Sequence, residues 1–473
     1  AGAMVSCGSG GTTSSSGSSS ESSASASASS EAGSSAESGD ASETGYTPNF
    51  DEEPYTLHLQ YMINEEQTDQ DRVSEALNEL TLSEMNEQLE LIPQTWGTMT
   101  TNIPLMLAAG ESLDLFFCQG FSFGTYIESG YLNNWADYLD YIPDVVEGVG
   151  DYLNACYIGD FLTGIPMMKE RANQSGLIVR KDYTDEAGFS QDDFNITTQD
   201  FSSFDKIDEL FDAVKANHPD MTSLAGYNIM ASMPTNYVDG LGNNYGVLEN
   251  FGQTTTVTNY FESDQYLELC KIARRWFEKG YLSADAATSQ DDGGQLMGMG
   301  AAFSYINNIK PNANIERESR FGFEVYVIPL SENAYASSGS VNGMVYSMSS
   351  ASEDPVKATA FYNWAYTSPE FNDLINWGIE GTDWVEDENG MAAYPEGVDA
   401  STVGYHNDCG WAYPNQFIGH AWTGNEPDVW EQYEEYNDDA VRSEALDFTF
   451  DSTVVVNELS ACDAVYQQYA KNL

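Results

Sequence analysis

From Tyr55 onward, apolar and polar positions repeat with two alternating periods. Tyr55–Met62 (YTLHLQYM) alternates every second residue, which predicts a strand. Residues 69–86 place Val73, Ala76, Leu77 and Leu80 at helical spacing. A second strand is predicted over 88–92 and a helix over 102–109, stopped at Gly110. A third strand, apolar but for Asp114, follows over 113–118, then a helix over 131–139. Strands alternating with helices specify βαβ units, hence an α/β protein whose parallel sheets carry helices on both faces.

A second series begins near Gly164. Residues 177–180 (LIVR) form its first predicted strand. Phe204, Ile207, Leu210, Phe211 and Val214 make one apolar helical stripe, with Ser203 placed to cap it. Tyr266, Leu269, Cys270, Ala273 and Phe277 make another, ended by Gly280. Strands are predicted over 300–306, 323–328 and 344–348. Asp354 and Pro355 start a helix running to Thr367. Trp276 and Trp364 fall on helix stripes and are expected in the core. Beyond Gly378 the chain is rich in aromatics. A hairpin turn is predicted at 386–390 (EDENG), and helices over 428–445 and 454–470.

The first fifty residues obey no such periodicity. Residues 8–53 are mostly Ser, Gly, Ala and Glu, with too few large apolar side chains to offset their ordering entropy, and read as a flexible tether. Ahead of them stands Met4-Val5-Ser6-Cys7-Gly8. A small residue after an apolar pair, then Cys and Gly, has the form of a lipobox, with Met4 where Leu is usual. On that reading residues 1–7 are the remnant of a signal peptide. Cys7 is then the lipidation site, and the protein is anchored at the extracellular face of the cytoplasmic membrane.

The remaining ~420 residues suffice for two domains on a prior of ~150 residues each. Lys and Arg number 17 against 75 Asp and Glu, a net charge of −58. Only five of those acids precede Tyr46, so the globular body itself is acidic. Such a field repels nucleic acid and excludes that class of partner. The six Cys and four His show no ligand spacing, so neither a metal nor a disulfide framework is expected. No run of eighteen apolar residues occurs. No phosphate loop, Gly-x-Ser-x-Gly elbow or His-Glu-x-x-His motif is found, so no catalytic residue and no cofactor is assigned.

Several stretches, in order, resemble the bacterial extracellular solute-binding proteins of ABC importers, of the maltose-binding-like type. They are Met106 to Asp114 (MLAAGESLD), Glu128 to Trp135 (ESGYLNNW), and Gly164-Ile165-Pro166 followed by Leu177 to Tyr183 (LIVRKDY). Glu278 to Leu282 (EKGYL), Met297 to Phe303 (MGMGAAF) and Thr367 to Phe371 (TSPEF) continue the series. Trp377 to Trp384 (WGIEGTDW) resembles a stretch of the Gram-positive lipoprotein subgroup. The resemblance implies a two-lobed periplasmic-binding-protein-like fold with a hinge, type II. The lobes would comprise 54–165 with 330–378, and 166–329 with 379–473. It also implies a monomeric, non-enzymatic protein that captures a solute between the lobes and delivers it to permease subunits.

Ligands of open α/β sheets bind at the carboxyl ends of strands. Two facing lobes bring those ends to one cleft. The candidate ligand residues are then Gln60, Tyr61, Trp96, Gln119, Phe121 and Asn342 in the first lobe, and Met167, Lys169, Glu170, Phe303 and Tyr305 in the second. Glu380, Trp384 and Trp411 come from the late region. Aromatic rings stack on sugar faces while amides and carboxylates bind hydroxyls, so an oligosaccharide is the leading solute. A peptide is the alternative, with Lys169 and Glu170 as a clamp for its termini. A surface glycoside hydrolase would need a carboxylate pair, and among 75 acids no pair stands out.

Overall fold

The computed structural model describes residues 45–226, 237–242, 244–286 and 292–469. Cys7 and the tether up to Thr44 lie outside them, as does the side chain of Phe121.

Nine strands build the two larger sheets: β1 (Tyr55–Met62), β2 (Glu87–Gln94), β3 (Leu115–Cys118), β4 (Ile165–Pro166), β5 (Ser175–Arg180), β6 (Thr222–Ala225), β7 (Ala302–Asn308), β8 (Val325–Pro329) and β9 (Val345–Met348). The first sheet has the order β2-β1-β3-β9-β4 and the second β8-β5-β7-β6. Each is mixed rather than parallel. β1 runs parallel to β2 and β3, with Tyr55 opposite Glu87 and Leu59 opposite Leu115. β9 and its partners are antiparallel, because β9 enters this sheet from the other lobe and not from a βα unit of its own.

The helices used below are α1 (Gln70–Glu84), α2 (Trp96–Ala109), α3 (Asp205–Asn217), α4 (Asp264–Glu278), α5 (Ala313–Phe321), α6 (Pro355–Thr367), α7 (Pro369–Trp377) and α8 (Val429–Asp439). Gly110 ends α2 in the left-handed conformation, φ 65°, as its position predicts. Asp354 caps α6, its carboxylate accepting from the Lys357 N–H at 3.2 Å. The 386–390 turn joins a short antiparallel pair, Val385–Glu386 with Ala392–Ala393.

Three local expectations fail for identifiable reasons. Residues 131–139 do not make an α-helix. Asn133 donates to the Ser349 carbonyl and Asn134 accepts from the Leu162 N–H, both at 2.8 Å, and these ties delay the turn to a 3-10 segment, Trp135–Tyr141. Ser203 does not cap α3, because its hydroxyl accepts from the Thr197 N–H at 3.0 Å instead. Phe277 ends α4 on the exposed side, while Trp276 takes the core position.

Two separate cores underlie the sheets. One packs Leu57, Phe116, Trp135, Met348 and Phe361; the other packs Val179, Phe211, Leu269, Trp276 and Phe303. The chain passes between them through β4 to β5 and again through β8 to β9. A third passage leads from residues 405–413 into α8, and a fourth follows α8: Val441 pairs with Tyr335, Ser443 donates to Asp239, and Thr449 donates to the Ala155 carbonyl at 2.6 Å. Residues 405–413, expected with the second lobe, instead pack into the first core through Tyr405, Cys409, Ala412 and Tyr413. Tyr405 donates to the Ile375 carbonyl at 2.7 Å, and the Cys409 N–H to Asn376 Oδ1 at 2.7 Å, which fixes them to α7.

Glu87 opens β2 fully buried, and among the described residues neither carboxylate oxygen has a hydrogen-bond partner. Burial pushes its carboxyl up to about 9, with Asp114 and Asp354 adding to burial and Lys357 opposing it. Its proton is therefore held in the folded state and lost in the unfolded one. Stability falls as pH rises from the ordinary carboxyl range near 4.5 toward 9. Glu87→Gln is expected to melt higher than wild type at pH 8 by a margin that shrinks toward pH 5. Parallel melting curves across that range would show that Glu87 carries no such linkage.

Candidate functional site

The carboxyl ends of β1, β2 and β3 form one edge of the first sheet, and the late segment is tied to that edge. Asn64, just past β1, donates its N–H to Asn407 Oδ1 (3.1 Å) and donates through Nδ2 to the carbonyls of Asn407 (2.8 Å) and Asp408 (3.1 Å). The Asn407 amide donates in turn to the Met62 carbonyl at 3.1 Å. This seam sets Trp411 beside Trp96, the first residue of α2. Their ring centroids are 6.4 Å apart, and both rings lie against Phe117, at 6.3 and 6.2 Å. Trp96 is 42% exposed, so its ring has a face available to a ligand.

The second lobe supplies charge. Lys310 follows β7 and lies 3.6 Å from Glu170, at the first crossing, and 3.4 Å from Glu316 of α5. Its ammonium also sits 5.1 Å over the ring of Tyr433 on α8. Burial opposes its charge, but Glu170, Tyr433 and Glu316 together outweigh it and hold its pKa well above the lysine range. Glu316 is drawn down to about 2: burial would raise it, but its ion-pair partner Arg317 and then Lys310 lower it. Asp408 is raised to about 7, by burial and then by the field of Glu316.

Between these two sides lies a recess of about 640 Å³, counting the part open to solvent. Lys310, Asn312 and Glu316 line it from the second lobe; Trp377, Asp408, Trp411, Gln416 and Trp422 line it from the late segment and α7, and Trp430 and Tyr433 from α8. Asn376 and Asn425 add two amides. The Gln416 Oε1 is buried and accepts no hydrogen bond among the described residues. The part-exposed indoles of Trp411 and Trp430, with a set of amides and carboxylates, can present flat apolar faces and hydroxyl partners to one ligand, while Trp377 and Trp422 are buried in a small core with Trp384 and Ala392. No group of metal-ligating side chains occurs among the described residues.

The sequence-selected residues separate by packing. Trp411 lines the recess, Trp96 stands beside it, and Gln119 is half-buried at the end of β3. Lys169 and Glu170 pair with each other at 2.9 Å at the first crossing, so the proposed clamp is already satisfied internally. Tyr61, Met167 and Phe303 are core. Tyr305 is buried beneath α5, against Phe321 at 6.1 Å. Gln60 is buried too; its Oε1 accepts from the Phe117 N–H at 2.8 Å, locking β1 to β3. Asn342 is spent on the Ala155 carbonyl (2.7 Å) and Thr449 (3.0 Å). Strand-end side chains point alternately to the two faces of a sheet, and these point inward. Trp384 and Glu380 line a different, outer groove. Lys310, Asp408, Trp422, Trp430 and Tyr433 were missed. The signal for Trp422, Trp430 and Tyr433 is the aromatic density after Gly378, which carries no period; Lys310 and Asp408 carry no signal in the sequence.

A family model described as "Bacterial extracellular solute-binding protein" matches residues 70–370. The chain belongs to that family. It is a solute-binding protein and not an enzyme. A carbohydrate ABC transporter substrate-binding protein of Streptococcus pneumoniae is 21% identical to it over 424 residues, 86% of this chain and 81% of the relative. Among solved structures, the N-glycan transport solute binding protein of Streptococcus pneumoniae, in complex with Man1GlcNAc, superposes with a TM-score of 0.74 at 17% identity, covering 88% of this chain and 90% of that one. An ABC substrate-binding protein from Listeria monocytogenes in complex with cycloalternan gives 0.54 at 14% identity, over 89% and 94% of the two chains. These likenesses show the two-lobed α/β fold of this solute-binding protein.

The burial of Tyr305 and the exposure of Trp96 predict opposite stability effects. Tyr305→Ala should cost about 3 kcal/mol of folding free energy by chemical denaturation. Trp96→Ala should cost less than about 1 kcal/mol. The reverse order would contradict the packing.

Proposed function

We propose that this solute-binding protein captures an uncharged oligosaccharide in the recess between its lobes and delivers it to the permease of an ABC importer. The observation that carries this is the lining of the recess: the part-exposed indoles of Trp411 and Trp430 together with the amides of Asn312, Gln416 and Asn425. A pyranose offers a C–H face to each indole and hydroxyls to each amide. A peptide needs charged partners for its termini, and Lys169 and Glu170 already neutralise each other. The carbohydrate transporter relative and the glycan-bound structural neighbours point the same way.

Closure follows from the geometry. The ligand meets both lobes at once only when they are together, so it favours that state by differential affinity. The closed form is then what the permease receives.

The same proposal includes a membrane anchor at Cys7. It rests on the lipobox form of Met4 to Gly8 and on the Ser- and Gly-rich composition that follows. Metabolic labelling with an alkyne fatty acid should mark the wild type in a bacterial host and leave Cys7→Ser unmarked. Equal labelling of both would remove the anchor.

Titration calorimetry tests the carbohydrate reading. Man5GlcNAc, the glycan bound by a structural neighbour, is expected to bind the wild type. Trp411→Ala should weaken that binding about thirtyfold, the effect of losing an aromatic anchor worth about 2 kcal/mol. Tight binding of a tripeptide, with no heat from glycans, would replace the reading with peptide transport.

A further inference from the structure

His420 faces two spaces. On one side it lines the recess, and on the other it lines an open groove of about 1170 Å³ that runs over the outer surface of α1 and α7. A single imidazole, about a third exposed, thus stands between the two. The ring is held in place from behind: Asp373 accepts from the His420 N–H and pairs with Nδ1, both at 2.7 Å. Trp384 lies 5.0 Å from it on the groove side.

The groove wall is built with unusual rigidity for a loop. Gly378 turns the chain out of α7 at φ 87°, and a Cβ there would collide with the Asp383 carboxylate. Asp383 is itself buried. It accepts from the Ile379 N–H at 2.8 Å and receives both terminal nitrogens of Arg72, at 2.9 and 2.7 Å. The Trp384 indole N–H donates to the Gly378 carbonyl at 3.0 Å and closes the loop on itself. Glu380 is presented outward from this fixed loop. Glu79 and Glu370 stand exposed on the two flanking helices, and no Lys or Arg lines the groove.

A pre-ordered wall with a tryptophan, three exposed carboxylates and no cation suits hydroxyl groups. Carboxylate oxygens accept strong, charge-assisted hydrogen bonds from paired sugar hydroxyls. The same carboxylates repel a carboxylated or sulfated sugar. We propose that this outer groove is a second glycan subsite, which receives an uncharged branch of the same oligosaccharide whose core fills the recess, the branch passing over His420. The inference rests on the carbohydrate reading above. A disaccharide would fill the recess and leave the groove empty; a branched glycan would occupy both.

The test is titration calorimetry of wild type and of Glu79→Ala/Glu380→Ala with Man1GlcNAc and Man5GlcNAc. Both substituted side chains are exposed, so the variant should melt with the wild type. It is expected to lose about tenfold in affinity for Man5GlcNAc while binding Man1GlcNAc within about twofold of wild type. Equal effects on both sugars, or on neither, would overturn the subsite while leaving the recess as the binding site. A wild type that binds neither glycan would overturn the carbohydrate reading and the subsite together.

Discussion

One buried ammonium ties the functional half of this protein together. Lys310 leaves the second sheet between Glu170, at the chain's first crossing, and Glu316, on the helix that follows. It also rests over Tyr433 on α8. A buried cation is costly unless it is paired, so each of these neighbours is constrained to stay within its reach. The hinge segment, α5 and α8 are thereby held in one arrangement, and the recess is the space they leave against the first lobe. Asn437 completes the bracing, accepting from the Arg171 and Ala172 N–H groups and donating to the Lys169 carbonyl at 3.0 Å.

That arrangement gives the recess two unlike halves. The first-lobe edge presents rings and amides; the second-lobe side presents a nearly neutralised charge cluster. Asp408 belongs to the first; burial, with the field of Glu316 on the second side adding to it, raises its carboxyl to about 7. The acidity of the whole chain, by contrast, is distributed over its surface and contributes solubility more than recognition.

Much of the scaffold was legible in the sequence, because period two and period 3.6 survive wherever one face is buried. β1, α1, α4 and α6 follow their patterns closely, and Gly110 and Asp354 mark helix ends by simple backbone chemistry. The site was less legible. Choosing strand-end residues by position selected Trp96 and Trp411 but also Tyr61, Met167, Phe303 and Tyr305, whose side chains point into the cores. Position along a strand locates the cleft; the face is set by a register that only the partner strands define. Residues 405–430 resisted prediction for a different reason. They are held by side chain to backbone hydrogen bonds, such as Asn407 to Met62 and Trp430 to Gly419, and not by any regular element. Such segments have no period to read.

The central claim is that ligand binding draws the two lobes together about the crossings between them. Small-angle X-ray scattering of the same chain, free and saturated with Man5GlcNAc, measures this most directly. The account predicts a smaller radius of gyration in the saturated sample, with the change abolished in Trp411→Ala at a glycan concentration that saturates only the wild type. A radius that stays the same while calorimetry shows the wild type saturated would contradict it.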